Sequence, residues 1–361
     1  MLTMFSSNQT ETPDPIIIAG AGIAGLTAAI NLKKAGRNVV IHEKLSAIGL
    51  SRHGDYEGLE NWIFEEEMHD YFSDHGFQFG KIDAHPIFHF QIHFSIKEPV
   101  KVYSAKPLFY LVKRGSKPDC LDKQLYEQCI SAGVRFEFGS SAHGDFHIDS
   151  TGSKKAAAFI KGINFQTNLE DQVHLLLGTD FSPKGYAYMI ILNGNATIAA
   201  AYKKMKNVNK DPLKQTIEFF QNKGFEIPSV DVFGSRGSFT IPMGKKFKHP
   251  YQIGEAGGFQ DYLFGFGMRI AMASGLAAAK RLAGETDDAK RILRSLNRKC
   301  KISFVNRILY ERLTDQQMAK IAESFSHSNQ PLAILAHAYK WNYKNIIRWS
   351  KLKDQYEIRP A

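Results

Sequence analysis

Apolar positions along this chain follow three different spacings, and each predicts a different element. Ile16-Ile17-Ile18-Ala19, entered from Pro15, and Asn38-Val39-Val40-Ile41-His42 are short, nearly unbroken apolar runs, as in buried parallel strands. Between them, Ile23 to Leu32 places small and apolar residues at helical spacing and ends near Ala35-Gly36. Met268 to Ala279 has the same helical character. Ile87 to Ile96 alternates apolar and polar residues with the two-residue period of a half-exposed sheet. Tyr186 to Tyr202, turning at Asn193-Gly194-Asn195, and Val232 to Ile241 read as further strands. Residues 285–361 read as helical, with a break near Ser328-Asn329-Gln330-Pro331. A strand–helix–strand opening followed by alternating strands predicts an α/β protein with an inserted sheet and a helical tail.

Composition narrows this picture. The chain has 361 residues, 43% of them hydrophobic, enough to bury a large core in two lobes. No apolar run reaches membrane-spanning length, and residues 1–15, polar with Pro13 and Pro15, read as a loose arm, not a signal peptide. Cys120, Cys129 and Cys300 have neither metal spacing nor a disulfide framework, which fits a reducing cytoplasm. The net charge is +10, and residues 285–361 hold 15 Lys or Arg against 8 Asp or Glu. That surplus is either a solvated helical face or an attraction to anionic lipid or an acidic partner. No nucleic-acid-binding motif accompanies it.

The glycines carry the chemistry. Gly20-Ala21-Gly22-Ile23-Ala24-Gly25 lies at the turn from the first strand into the first helix. Gly20 permits the tight turn, Gly22 lets backbone approach a pyrophosphate, and Gly25 lets helix pack on strand. The helix N-terminus offers free N–H groups to phosphate. Glu43 ends the second strand 23 positions after Gly20, where an acid is expected to meet a ribose hydroxyl, and Lys44 follows it. A second glycine-rich stretch, Gly254-Glu255-Ala256-Gly257-Gly258 through Gly265-Phe266-Gly267-Met268, comes 234 positions after the first. The first stretch suits a dinucleotide's diphosphate and the second a flavin's ribityl chain and ring, so the pair points to FAD.

The second stretch resembles the G-D-A-x-x-x-x-x-P-x-x-G-x-G segment of flavoproteins with the p-hydroxybenzoate hydroxylase fold, and most resembles the geranylgeranyl reductase-like branch. Leu111-Val112-Lys113-Arg114 with Leu121-Asp122-Lys123-Gln124-Leu125, then Gly133-Val134-Arg135-Phe136, then Phe146 to Gly152 resemble that family's further segments in order. The resemblance implies a Rossmann-like FAD-binding domain (1–60, 105–160 and 235–284), a substrate-binding sheet domain (61–104 and 161–234) and a helical extension (285–361). It implies that Arg114 meets the FAD phosphates, Arg52 lies beside the flavin loop, Gly152 turns near the cofactor, and Glu255 replaces the Asp that holds the ribityl hydroxyls. Departures are also plain. The family's proline is missing from the run around Gln260-Asp261-Tyr262. The Y-x-W-x-F-P stretch over the cavity becomes Tyr186-Ala187-Tyr188-Met189-Ile190-Ile191, and a C-G-E loop becomes His53-Gly54-Asp55. A tryptophan-rich halogenase motif is missing as well.

These features imply an FAD-dependent oxidoreductase that passes hydride to an apolar, isoprenoid or lipid-like substrate. The alternatives are an aromatic-type monooxygenase using O₂ and a non-catalytic flavin- or lipid-binding protein. No second GxGxxG domain serves a nicotinamide, so NAD(P)H binding transiently, or a separate reductase protein, would supply electrons. His53, Asp55, Tyr186 and Tyr188 are the candidates for proton transfer. His89 and His93 share a strand face without a third ligand, so no metal is expected and both are expected to face solvent. In Lys340-Trp341-Asn342-Tyr343-Lys344-Asn345-Ile346-Ile347-Arg348-Trp349-Ser350-Lys351, the bases at 340, 344, 348 and 351 share one helical face, fit either for peripheral membrane contact or for capping the catalytic domain.

Overall fold

The computed structural model describes residues 14–95, 97–142, 144–153, 158–203, 211–237 and 247–353. Residues 1–13 of the arm expected at 1–15, Ile96, and the end of the strand expected at Val232 to Ile241 lie outside them. The helices, in chain order, are α1 (Ile23–Lys34), α2 (Met68–Asp74), α3 (Leu121–Ser131), α4 (Pro212–Asn222), α5 (Met268–Leu282), α6 (Thr286–Tyr310), α7 (Asp315–Ser326), α8 (Pro331–Ala338) and α9 (Tyr343–Leu352).

A five-stranded parallel sheet organises the cofactor side. Its spatial order is Tyr251–Gln252, Ile148–Asp149, Ile16–Ala19, Val39–Glu43, Arg135–Phe138. Two of these strands are the apolar runs read from the sequence, and the register Ile18↔Ile41 and Ile18↔Ile148 aligns the carboxyl ends of three. Such aligned strand ends form the crevice where open α/β sheets bind ligands. Helix α1 is buried on nearly every side because sheet, α3 and α5 all pack on it. Close approach to α5 depends on glycine: a Cβ on Gly275 would stand 2.3 Å from the Ala24 carbonyl oxygen.

The second lobe is a seven-stranded sheet ordered Phe233–Gly237, Ala158–Gln166, Asn195–Tyr202, Tyr186–Leu192, Gln172–Leu176, His89–His93, Val100–Tyr103. The hairpin predicted at Asn193-Gly194-Asn195 is present, with Leu192 paired to Asn195 and Asn193 at φ 50°. Amphipathic α4 covers one face, seating Leu213 and Phe220 on Met189, Ile191 and Ile198. A three-stranded antiparallel sheet (Tyr56–Glu60, Phe109–Lys113, His85–Ile87) bridges the lobes.

Two expectations need correction here. The alternation from Ile87 to Ile96 is not one strand: His85–Ile87 pairs in the small sheet and His89–His93 in the large one, the chain changing sheets at Phe88. His93 does not face solvent. It is buried under α4, with Nε2 2.9 Å from Nδ1 of His174, while His89 at the strand's other end is exposed. Alternation reports that a strand has two faces, not which helix will cover one of them.

The C-terminal helices pack on the two lobes. Helix α6 lies along α5, α9 rests on α6, and α7 lies beside the strand Val100–Tyr103. The expected break falls between Ser326 and Pro331. Trp349 meets Phe304 edge-on with centroids 5.8 Å apart, whereas Tyr343, Ile346 and Ile347 stay exposed. Thus α9 caps with one edge only, and Lys340 precedes the helix instead of sharing its face. Among the described residues no helix is long and apolar enough to cross a membrane, and no cluster of His, Cys, Asp and Glu could hold a metal.

Candidate active site

One continuous cleft of about 1170 Å³ runs from the turn at Gly20–Ala24, past Glu43, Lys44 and Gly152, to Gly254–Met268, and on beneath the large sheet. A single small-molecule site occupies roughly 300–1,000 Å³. The cleft is therefore large enough for a cofactor with a second ligand beside it.

At its polar end the geometry fits a diphosphate. Gly20 makes the turn at φ 94°, with Ser150 packed so closely that a Cβ would sit 2.6 Å from its carbonyl oxygen. Gly25 is equally closed, its would-be Cβ 2.3 Å from the Gly20 oxygen. Gly22 differs: a Cβ there would meet nothing nearer than Ser150 at 4.0 Å, so bare backbone faces the open cleft. Gly22 also caps α1 with no side-chain acceptor, and the first turn has no acid. The orphan N–H groups of that turn, with the helix's partial positive charge, suit an anionic ligand.

Glu43 serves the turn as well as the cleft. Its Oε2 accepts from the Ala21 N–H at 2.9 Å and its Oε1 from the Leu45 N–H at 3.0 Å. Each oxygen keeps a lone pair for a ribose hydroxyl. Lys44 is exposed at the rim, and Gly152 lines the cleft with no atom near its would-be Cβ.

At the other end, Glu255 lines the cleft, half-buried, its carboxylate without a hydrogen bond among the described residues. Burial raises its carboxyl above the usual range and Glu57 adds to this, while Arg52 and Arg114 oppose the rise. Helix α5 begins at Met268 with Gly267 as a cap lacking any side-chain acceptor, so a second uncapped helix N-terminus opens on the same cleft. Phe266 is wedged against Trp62, centroids 4.9 Å apart, and fills the space over Gly58.

The arginines are committed to carboxylates. Arg114 is buried, donating from Nε and Nη2 to both oxygens of Asp122 at 2.9 Å and from Nη1 to Glu57 at 2.7 Å. A phosphate contact from Arg114 would have to use its remaining N–H groups. Arg52 reaches Glu57 at 3.5 Å. Both line the cleft.

The four candidates for proton transfer all line the cleft but differ in chemistry. His53 is exposed at the rim, stacked on Phe233 and 3.2 Å from the Gly234 carbonyl oxygen. Tyr186 donates to the Phe264 carbonyl, and burial pushes both its phenol and that of Tyr188 well up, so they remain neutral. Asp55 is buried, and burial together with the neighbouring Glu57 raises its carboxyl to about 6. Between Asp55 and the two tyrosines, only Asp55 is an acid poised near neutrality.

Sequence reasoning missed three features. Asp261, buried in the flavin-side loop, accepts from Ser303 Oγ, from Tyr339 Oη at 2.7 Å, and from the N–H groups of Phe264 at 3.0 Å and Leu263 at 3.3 Å. An acid in a glycine-rich loop signals a turn, but its partners lie on α6 and just past α8. The second is the His93–His174 pair. The third is Glu60, wholly buried 3.9 Å from Arg269 with neither oxygen hydrogen-bonded among the described residues; burial pushes it up to about 8.

Comparison with known proteins agrees with this geometry. Residues 15–54 match the family described as FAD binding domain. No curated protein matches the chain in sequence. Among solved structures, it is similar to a geranylgeranyl bacteriochlorophyll reductase-like protein from Thermoplasma acidophilum, with TM-score 0.69 and 17% identity over 95% of this chain and 99% of that one. It is also similar to aklavinone-11 hydroxylase, solved with FAD and aklavinone, at TM-score 0.59 and 14% identity over 86% of this chain and 71% of that one. A third, a myxobacterial chondrochloren halogenase, gives TM-score 0.57 and 14% identity over 94% and 96%. The chain thus has the fold of FAD-dependent oxidoreductases of the p-hydroxybenzoate hydroxylase type.

Proposed function

We propose that this protein is an FAD-dependent oxidoreductase that reduces a carbon–carbon double bond in an apolar, lipid-like substrate. The observation that carries the reading is the cleft itself: a phosphate-suited end, two uncapped helix N-termini, and an apolar continuation share one cavity. When bound, FAD would supply a two-electron carrier, recharged by NAD(P)H or a reductase protein, that delivers hydride to a substrate carbon.

The chain's own residues do the rest. The first turn of α1 and Glu43 would hold the adenylate half of FAD, and Glu255 would accept from its ribityl hydroxyls. The N-terminus of α5 would stabilise negative charge near the ring. Phe109, Tyr188, Phe264 and Phe266 line the cleft and exclude water from the reacting carbons. Asp55 donates the proton that completes saturation at the second carbon, then recovers one from solvent along the rim beside His53. Arg52 and Arg114, beside Glu57, keep Asp55 from rising further and so keep it able to give its proton up.

The test is anaerobic reduction of the yellow protein by NADH and by NADPH, followed by mixing with polyprenyl and phenolic compounds. Reoxidation by a polyprenyl alkene without O₂, with a saturated product, supports the proposal. Substrate-dependent O₂ uptake with a hydroxylated product would replace it with monooxygenation, the reading that similarity to the hydroxylase favours. A protein that stays colourless when FAD is added would replace it with a non-catalytic binding role.

A further inference from the structure

Glu60 is an acid that the proposed reaction leaves unused. It closes the strand Tyr56–Glu60 and is wholly buried, with neither carboxyl oxygen hydrogen-bonded among the described residues. Gly58 and Trp62, two residues to either side, line the cleft, and Phe266 packs against both. Arg269, the second residue of α5, brings Nη1 to 3.9 Å from Glu60 Oε1, too far for a hydrogen bond. The guanidinium is anchored elsewhere. Its Nη1 donates to the Glu60 carbonyl oxygen at 3.1 Å, its Nη2 to that of Glu66 at 2.9 Å, and the Tyr71 ring lies 4.0 Å from it. The carboxyl is thus not what holds Arg269 in place. An ionised carboxylate without hydrogen bonds is costly to bury, and burial pushes Glu60 up to about 8 from its ordinary 4.5, against the pull of Arg269. Asp261 adds to the rise and Lys299 opposes it, while Tyr71 and Tyr339, which also face Glu60, are held neutral by burial.

We propose that Glu60 is a positioning residue that governs how strongly Arg269 acts on the flavin: protonated, it leaves the guanidinium's charge uncompensated at the start of α5, and ionised, it cancels that charge. The inference rests on FAD lying in the cleft and is independent of the substrate. Helix α5 starts at the flavin-side loop, and its uncapped N-terminus favours negative charge there. A buried cation in the same first turn, with little water to screen it, adds to that field. Two-electron reduction brings negative charge to the ring end, so a protonated Glu60 makes reduction easier and an ionised one makes it harder. The coupling is reciprocal, and reduction raises the proton affinity of Glu60. Where the oxidised protein holds Glu60 ionised, two electrons entering the flavin draw one proton from solvent onto the Glu60 carboxylate. That proton returns to solvent on reoxidation. A purely structural ion pair predicts no such link.

The experiment is a spectroelectrochemical titration of the FAD-loaded protein at about pH 6.5 and about pH 9.5, on either side of the Glu60 value. It compares the native protein with Glu60→Gln, which keeps the shape of the protonated acid. At the lower pH the two potentials are expected to coincide, since the side chain is neutral in both. At the higher pH the variant is expected to be easier to reduce by at least threefold in the two-electron equilibrium constant, about 14 mV. Lys299 is present in both proteins, so the difference between them isolates Glu60. Should Glu60→Gln fail to fold or to take up FAD, Glu60→Met supplies the neutral side chain. Thermal melts of the FAD-free proteins are the second measurement. The folded-state value lies above the ordinary one, so the stability that Glu60 contributes is complete below pH 4.5 and lost as pH rises through about 8. The variant is expected to lack that loss. Equal potentials at the higher pH, or the same offset at both, overturn the proposal, as do melts whose pH dependence the substitution leaves unchanged. Failure of the native protein to take up FAD overturns the cofactor reading and this inference together.

Discussion

Replacing Asp261 by asparagine tests whether the C-terminal extension holds the flavin-side loop. The carboxylate accepts from Ser303, Tyr339, Leu263 and Phe264, and it is 1% exposed. Asparagine keeps the volume but has one acceptor oxygen. With that oxygen in place of Oδ1, the bonds from Ser303, Tyr339 and Leu263 survive, but the amide NH₂ then meets the Phe264 N–H, donor against donor. One lost bond and one orphaned donor cost about 1–3 kcal/mol, and loss of charge assistance to the two hydroxyl bonds adds about 1 kcal/mol. We expect destabilisation of about 2–4 kcal/mol, read as an earlier midpoint of flavin release on heating and in urea. Tyr339→Phe alone leaves three donors on the carboxylate and should cost about 1–2 kcal/mol. Because the two residues share a bond, the double variant should fall short of the sum by about 1 kcal/mol. FAD affinity should fall with stability, since Phe264 also takes the Tyr186 hydroxyl and Gly265 to Met268 line the cleft. Flavin release unchanged in Asp261→Asn, or strict additivity with Tyr339→Phe, would refute the clamp.

Four further outcomes follow from the geometry. Gly22→Trp, which fills the open space beside the first turn, and Glu43→Lys, which reverses the charge beneath it, should each yield apo protein; full flavin retention in both variants, by absorbance, would contradict the site. Turnover should decline as pH rises through about 6, where Asp55 gives up its proton, and Asp55→Asn should lower kcat and flatten that profile. Burial depresses His93 and His174 to about 4, so the folded state favours neutral imidazoles; the stability they contribute is complete above pH ~6.5 and lost as pH falls toward about 4. His93→Phe should weaken that acid sensitivity in thermal melts, and an unchanged acid limb would count against it. Exposed Tyr343, Ile346 and Ile347 near Lys344, Arg348 and Lys351 should draw the protein onto anionic vesicles at low salt, and charge reversal of the three bases should abolish co-sedimentation.

Local chemistry decided much of the cofactor side. A strand needs its apolar run, a tight turn its glycine, and a helix its small residues, and all of these are adjacent in the chain from Pro15 to Glu43. The same holds for Tyr251 through Leu282. The sequence therefore carried the parallel strands, α1, α5 and the cleft-lining glycines on its surface. What lay beyond it were groups whose meaning depends on a distant neighbour. His93 reads as a solvent-facing strand residue until α4 covers it. Arg114 reads as a cation without partners until Asp122 and Glu57 surround it. Asp261 reads as a loop acid until Ser303 and Tyr339 reach it from segments 42 and 78 positions away. Burial, pKa and partnership are properties of packing between remote segments, so only the tertiary structure could set Asp55 near neutrality and bury Glu60 beside Arg269.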